Sequence, residues 1–275
     1  MPTAAMMQSA TYWTVVTRAV SDAVSVLAPD VPTSLFLLVG LSVLLAGTIS
    51  GLTGFGFNLL SVPLLVVILP SHAGIVVSLA TGMSVTTAML LSSDVRSQID
   101  RPTVSLLLGA SLMGVPLGLL IFARATDEFL SGLVGAVTAV YALVVLTART
   151  PETPASRAAG ILAGAASGAL ASSTGLSGPP AVLFVHSRQL PVASFRATLI
   201  AYILPISAMS VTLLLLLRLA SPHVLLLAVV LWPLALLGMA GGRLLFRWIP
   251  ERGFQRIVLV FLLVMGGLNL INTLR

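Results

Sequence analysis

The side chains whose types and spacing could do chemistry gather in two short runs, GLTGFGFN at 51–58 and SSTGLSGPP at 172–180. Each places glycines, hydroxyls and no charge between strongly apolar segments. Glycines at 54, 56, 175 and 178 let backbone amides come close to a ligand, and Thr53, Asn58, Ser172, Ser173, Thr174 and Ser177 add side-chain donors. A helix broken at such a run exposes free N–H groups and the positive end of its dipole, which favours an anion. Arg196, in FRATLIAYILP, opens an apolar segment beside the second run; its guanidinium could fork two oxygens of an oxyanion, or snorkel to the headgroups as an anchor. The expected substrate-binding set is Thr53, Gly54, Gly56, Asn58, Ser173, Thr174, Gly175, Ser177, Gly178 and Arg196.

Other chemistries lack their parts. No Asp or Glu lies within an apolar segment beyond its first residue, where Glu128 opens the segment 128–148, so a cation site built on carboxylates has no ligands at membrane depth. There is no cysteine, and His72, His186 and His223 show neither metal-ligand nor catalytic spacing. We expect no enzyme, no metal and no cofactor. His72 and His186 could carry protons near neutrality, or sit solvated or capping at segment ends.

The elements that must position these residues follow from composition. The chain is 57% hydrophobic and 8% charged, with mean hydropathy +1.10, which predicts a polytopic helical membrane protein with the lipid bilayer as its solvent. All 14 basic residues are arginine. They fall between apolar segments, where they anchor loops, so a nucleic-acid partner is not required. MPTAAMMQSA lacks a basic start and an adjoining apolar core, against a cleavable signal; YWTVVTRAVSDAVSVLA reads as an interfacial helix within residues 1–33.

Apolar segments fall at 34–50, 57–70, 73–92, 102–122 and 128–148, then 158–171, 178–187, 196–217, 223–245 and 254–272. The expected organisation is an N-terminal region 1–33, a first membrane repeat 34–148, a connecting loop 149–157 and a second repeat 158–275. AGTISG at 46–51 matches AGAASG at 163–168, an offset of 117 that also carries Pro63 onto Pro180; further on, GVPLG at 114–118 meets GMAGG at 238–242 at 124. Two repeats of five elements would be inverted relative to one another, each beginning with a short hairpin that either re-enters or crosses fully. That arrangement gathers Arg96, Arg101, Arg149, Arg157, Arg188, Arg196, Arg243, Arg247, Arg252 and Arg256 on one side, against Arg18, Arg124, Arg218 and Arg275 on the other. The positive-inside rule makes the first side cytoplasmic and the termini periplasmic. Glycines spaced by four, such as Gly114 and Gly118, read as helix-packing faces, within one chain or in a homodimer. Pro205 is expected to kink its helix.

Three stretches, GLTGFGFNLLSVPLL, GLSGPPAVLF and FRATL, resemble the TauE/SafE family of membrane anion permeases over about residues 34 to 272. The resemblance implies a transporter of the bacterial inner membrane that exports a small sulfur-containing oxyanion, sulfite or an organosulfonate such as sulfoacetate. Its glycine-rich segment corresponds here to Gly51, Gly54 and Gly56, and again to Gly175, Gly178 and Pro179. Phe55, Phe57 and Asn58 stand where a glycine run is usual. An anion channel, or a permease for a non-sulfur organic anion, is the alternative.

Overall fold

A computed structural model describes residues 33–91, 93–147, 155–245 and 251–273; the expected interfacial helix lies outside them. Among the described residues the chain is all helix: α1 Thr33–Thr53, α2 Phe57–Ile68, α3 Ser71–Leu90, α4 Ser93–Ser97, α5 Arg101–Arg124, α6 Asp127–Thr147, α7 Arg157–Thr174, α8 Gly178–Ser187, α9 Val192–Leu216, α10 Pro222–Leu245 and α11 Glu251–Thr273. Six of these, α1, α3, α5, α6, α9 and α10, are long and apolar enough to cross a bilayer. This is a multi-pass, all-α membrane protein. Large side chains such as Leu112, Met113 and Leu117 on α5 face outward, at no cost where the surroundings are lipid.

The segment limits match the sequence reading closely, with one difference. Both arms of each hairpin were expected to be short, but α1 has 21 residues and α7 has 18, while α2 has 12 and α8 has 10. At 1.5 Å per residue α2 is about 18 Å long, roughly half a bilayer. Thr53 and Thr174 extend the first arms by returning their hydroxyls to Ile49 O and Leu170 O, within the helix.

Contacts fix the direction of each helix. His72, at the start of α3, meets Asp127 at the start of α6, its backbone N–H and Nδ1 lying 3.0 and 2.8 Å from Oδ1. Its Nε2 lies 3.0 Å from Phe122 O at the end of α5. With both ring nitrogens against acceptors, His72 serves as a strut between three helix ends. These ends define one end of the bundle. The opposite end carries Arg96 and Arg101, and there the Asp100 N–H donates to Thr198 Oγ1 near the start of α9 (3.0 Å). Pro63, Pro116, Pro205 and Pro233 lie inside helices, and the buried Asn269 donates Nδ2 to Pro63 O (3.1 Å), satisfying a carbonyl that lipid could not.

Two helix pairs approach at backbone distance. A methyl on Gly114 or Gly118 of α5 would collide with the backbone of Ala165 and Ala169 on α7, and one on Gly168 with that of Ser111 on α5. In the same way Gly238 and Gly242 of α10 seat against Leu44 and Thr48 of α1, and Gly47 against Ala235. Both pairs are parallel, because residue numbers rise together along each. So α7 enters from the arginine end beside α5, and α1 enters from the Asp127 end beside α10. The second arms turn back: Gly82 abuts Phe57 and Asn58 while Gly74 abuts Leu65, making α2 antiparallel to α3, and the Phe184 ring lies against Gly160, making α8 antiparallel to α7. The two hairpins therefore enter the bundle from opposite ends.

The contacts of the two pairs correspond to one another at another offset than the one read from the sequence. Gly168 to Ser111 corresponds to Gly47 to Ala235, and Gly114 to Ala165 corresponds to Gly238 to Leu44. The first arms thus align at 121, while α5 and α10 align at 124 as expected. The 117 offset is slipped by four residues, about one helical turn, because small residues recur at that interval on these faces.

These contacts predict the cost of filling them. Gly118→Leu should lower the thermal midpoint of the detergent-solubilised protein sharply, since overpacking backbone against backbone costs about 1–3 kcal/mol or more. Gly241→Ala, where nothing lies within 4 Å of the added Cβ, should leave the midpoint near that of wild type; a thermal-unfolding assay by tryptophan fluorescence reads both.

Candidate functional site

Thr53 ends α1 with its hydroxyl also against Phe55 O (2.6 Å). Gly54 and Gly56 follow at φ 83° and 91°, in the left-handed region open to glycine. In the second hairpin Gly175 closes α7 at φ 74°, its N–H on Ala171 O (3.1 Å). Leu176 N–H donates to Thr174 Oγ1 (3.4 Å). The helices that resume, α2 after Gly56 and α8 after Ser177, have no side-chain cap; α2 keeps its first-turn amides for another acceptor, while in α8 Pro179 and Pro180 leave chiefly that of Gly178.

Both uncapped starts face one cavity. It is lined by Ser50 and the 55–59 segment from the first hairpin, by 176–179 and Val182 from the second, by Val85, Thr86 and Met89 of α3, and by Ile203 of α9. It holds about 520 Å³ of space between atoms, part of it open to the exterior. No lining side chain is acidic or basic. The polar ones are Ser50, Asn58, Thr86 and Ser177, and the Thr86 hydroxyl is already turned back to Gly82 O.

Asn58 is the distinctive group. Its Oδ1 is buried without a hydrogen-bond partner and rests on Gly82, where an added Cβ would collide with it and come within 3.1 Å of the Phe57 ring. Glycine at 82 is what admits the amide. Behind Ser177, Tyr202 donates to Ser167 Oγ (2.7 Å), which donates onward to Ser177 O. That buried chain holds the second hairpin tip in place.

The expected residues divide accordingly. Gly56, Asn58, Ser177 and Gly178 line the cavity. Thr53, Ser173 and Thr174 give their hydroxyls to backbone carbonyls four residues back, and Gly175 packs against Val62, Ile75 and Leu79; none of these lines the cavity. Gly54 and Arg196 meet each other instead, the Arg196 Cδ lying 2.9 Å from where a Gly54 Cβ would be. The stem of Arg196 thus covers the first tip beside the cavity. Phe55 reaches from that tip to the Phe195 ring, 5.7 Å away and edge-on. Sequence reasoning missed Ser50, Val85, Thr86 and Met89. The last three share one face of α3, at the spacing of a helical stripe.

Gly82→Ala tests the fit of the amide. It should displace Asn58 and cut anion flux in reconstituted vesicles about tenfold, one displaced hydrogen bond being worth about 1–1.5 kcal/mol, with a monodisperse protein peak retained.

A family model described as Sulfite exporter TauE/SafE matches residues 39–268. No curated protein and no solved structure matches the chain.

Proposed function

Because the chain belongs to the sulfite exporter TauE/SafE family, we propose that it moves a small, singly charged sulfur oxyanion through the cavity between the hairpin tips. The family makes it a membrane transporter of sulfur anions, an exporter or permease. The observation that carries the specific reading is the convergence of two helix N-termini without side-chain caps on one cavity that has no acidic side chain and that Asn58 lines; of the Asn58 amide only the Nδ2 hydrogens could serve an anion. Amides and positive dipole ends favour an anion there.

The cavity also limits charge. With no cation among its lining, a second negative charge would be desolvated without a counter-charge, and the cost of burying an ion climbs steeply with its charge. Hydrogensulfite or a monosulfonate fits better than sulfoacetate, whose carboxylate adds a charge. The apolar remainder, Phe55, Phe57, Leu176 and Val182 among it, suits a short organic tail.

The two hairpins act as the halves of an inverted repeat, which is a transporter arrangement. Among the described residues Arg96, Arg101, Arg157, Arg188, Arg196 and Arg243 sit at one end, and Arg124 and Arg218 at the other. We assign the first end to the cytoplasm of a bacterial inner membrane. A monovalent anion is then driven outward by about 2.3 kcal/mol per 100 mV of inside-negative potential, so export needs no coupling ion.

Proteoliposome flux tests this reading. Wild type should show saturable, potential-driven flux of sulfite or methanesulfonate, and exchange between labelled and unlabelled anion. Asn58→Ala should reduce the flux roughly 5- to 30-fold, the loss expected for about 1–2 kcal/mol of hydrogen bonding. Asn58→Asp should abolish it by placing a negative charge in the site. Wild-type flux in both variants would move the site elsewhere.

A further inference from the structure

Among the described residues three buried hydroxyls have no hydrogen-bond partner, Thr138 on α6 and Ser207 and Ser210 on α9, and the two on α9 lie one helical turn apart. Ser42, Thr48, Ser172, Ser173 and Thr174 all return their hydroxyls to the carbonyl four residues back. Ser207 and Ser210 do not: each Oγ is buried, at 1% and 0% residue exposure, with no partner. In a membrane interior an unmatched hydroxyl is unfavourable unless some other state of the protein wets it.

The equivalence of the halves says which state. Thr53 and Thr174, Gly54 and Gly175, and the helix-capping Pro70 and Pro191 are each 121 residues apart. Gly54 packs on Arg196 while Gly175 packs on Ile75, again 121 apart, so α3 and α9 share this register. Carried across at 121, the cavity-lining Thr86 and Met89 of α3 fall on Ser207 and Ser210 of α9. Val182 of α8 falls on Ser61 of α2, fully buried and paired with Ser78 Oγ. Thr86 and Met89 lie toward the arginine end of the bundle; Ser207 and Ser210 lie toward the Asp127 end.

We propose that Ser61, Ser207 and Ser210 line the anion's second half-path, closed in this structure and opened toward the Asp127 end when the present cavity collapses. The inference rests on the inverted-repeat reading of the fold. It assigns hydroxyl donors to an oxyanion at positions where the open half offers Thr86, Met89 and Val182. Wetting in the alternate state gives Ser207 and Ser210 the partners they lack here.

The absence of cysteine from the chain makes single thiols clean reporters. Met89→Cys, Ser207→Cys and Ser210→Cys, reconstituted with known sidedness, would be exposed to a membrane-impermeant methanethiosulfonate from each side in turn. Met89→Cys should react from the arginine end, and the two α9 thiols only from the Asp127 end. In the Met89→Cys/Ser210→Cys double variant, a bulky adduct placed first at 89 should wedge the present cavity open and abolish reaction at 210. Reaction of the α9 thiols from the same side as Met89→Cys, or from neither side in protein that still carries anion, overturns the proposal. Side-specific reaction without flux of any sulfur anion would uphold the half-path and overturn the substrate reading instead.

Discussion

Hydrocarbon offers a broken helix nothing to bond with, and the architecture depends on that constraint. The chain breaks twice, after Thr53 and after Thr174, so both breaks must be enclosed by protein. Each tip is closed by the opposite half: Gly54 by the stem of Arg196, Gly175 by Val62, Ile75 and Leu79. Residues 171–177 are buried throughout. The donors left open are those facing the cavity, so one constraint both demands the enclosure and locates the site.

Enclosure in turn requires the hairpins to be drawn deep into the bundle, with no hydrophobic force between helices to do it, since lipid is as apolar as leucine. The glycines supply the alternative. With backbone on backbone along α5 and α7, and along α1 and α10, many dispersion contacts accumulate at close range. Buried side chains then add direction: Trp232 donates to Ala80 O at 3.2 Å and Thr81 to Ala228 O at 3.4 Å, joining α10 to α3. The long first arms and short second arms follow from this, because the first arm of each hairpin carries the glycine face and the second carries the site.

Much of this was legible in the sequence. Hydropathy located the helices, and the polar runs at 51–58 and 172–180 located the breaks, because both signals are local. Asn58 and Ser177 were readable as candidates for the same reason, and both line the cavity. Thr53, Ser173 and Thr174 do not line it: their hydroxyls bond carbonyls four residues back, and composition does not say whether a hydroxyl in a helix will satisfy its own backbone. Val85, Thr86 and Met89 were missed, since only tertiary packing turns their face of α3 toward the hairpin tips. The first arms correspond by contact four residues away from their sequence match, because small residues recur at that interval, whereas the Thr-Gly pairs at 53–54 and 174–175 keep the contact offset of 121.

The halves match in scaffold and diverge at the site. Position 58 is Asn in the first hairpin and its equivalent, 179, is Pro; position 196 is Arg and its equivalent, 75, is Ile. Prolines at 179 and 180 remove two of the first-turn amides of α8, so the first hairpin contributes most of the donors. A symmetric site would hold an anion equally well from either end. In the proposed transport reading, Arg196 at the arginine end, against the tip next to Asn58, breaks that symmetry in favour of capture from that end. Arg196 remains outside the cavity lining, where its charge can attract an anion without trapping it. On that reading, attraction at the mouth and neutral groups within would let an anion both enter the cavity and leave it.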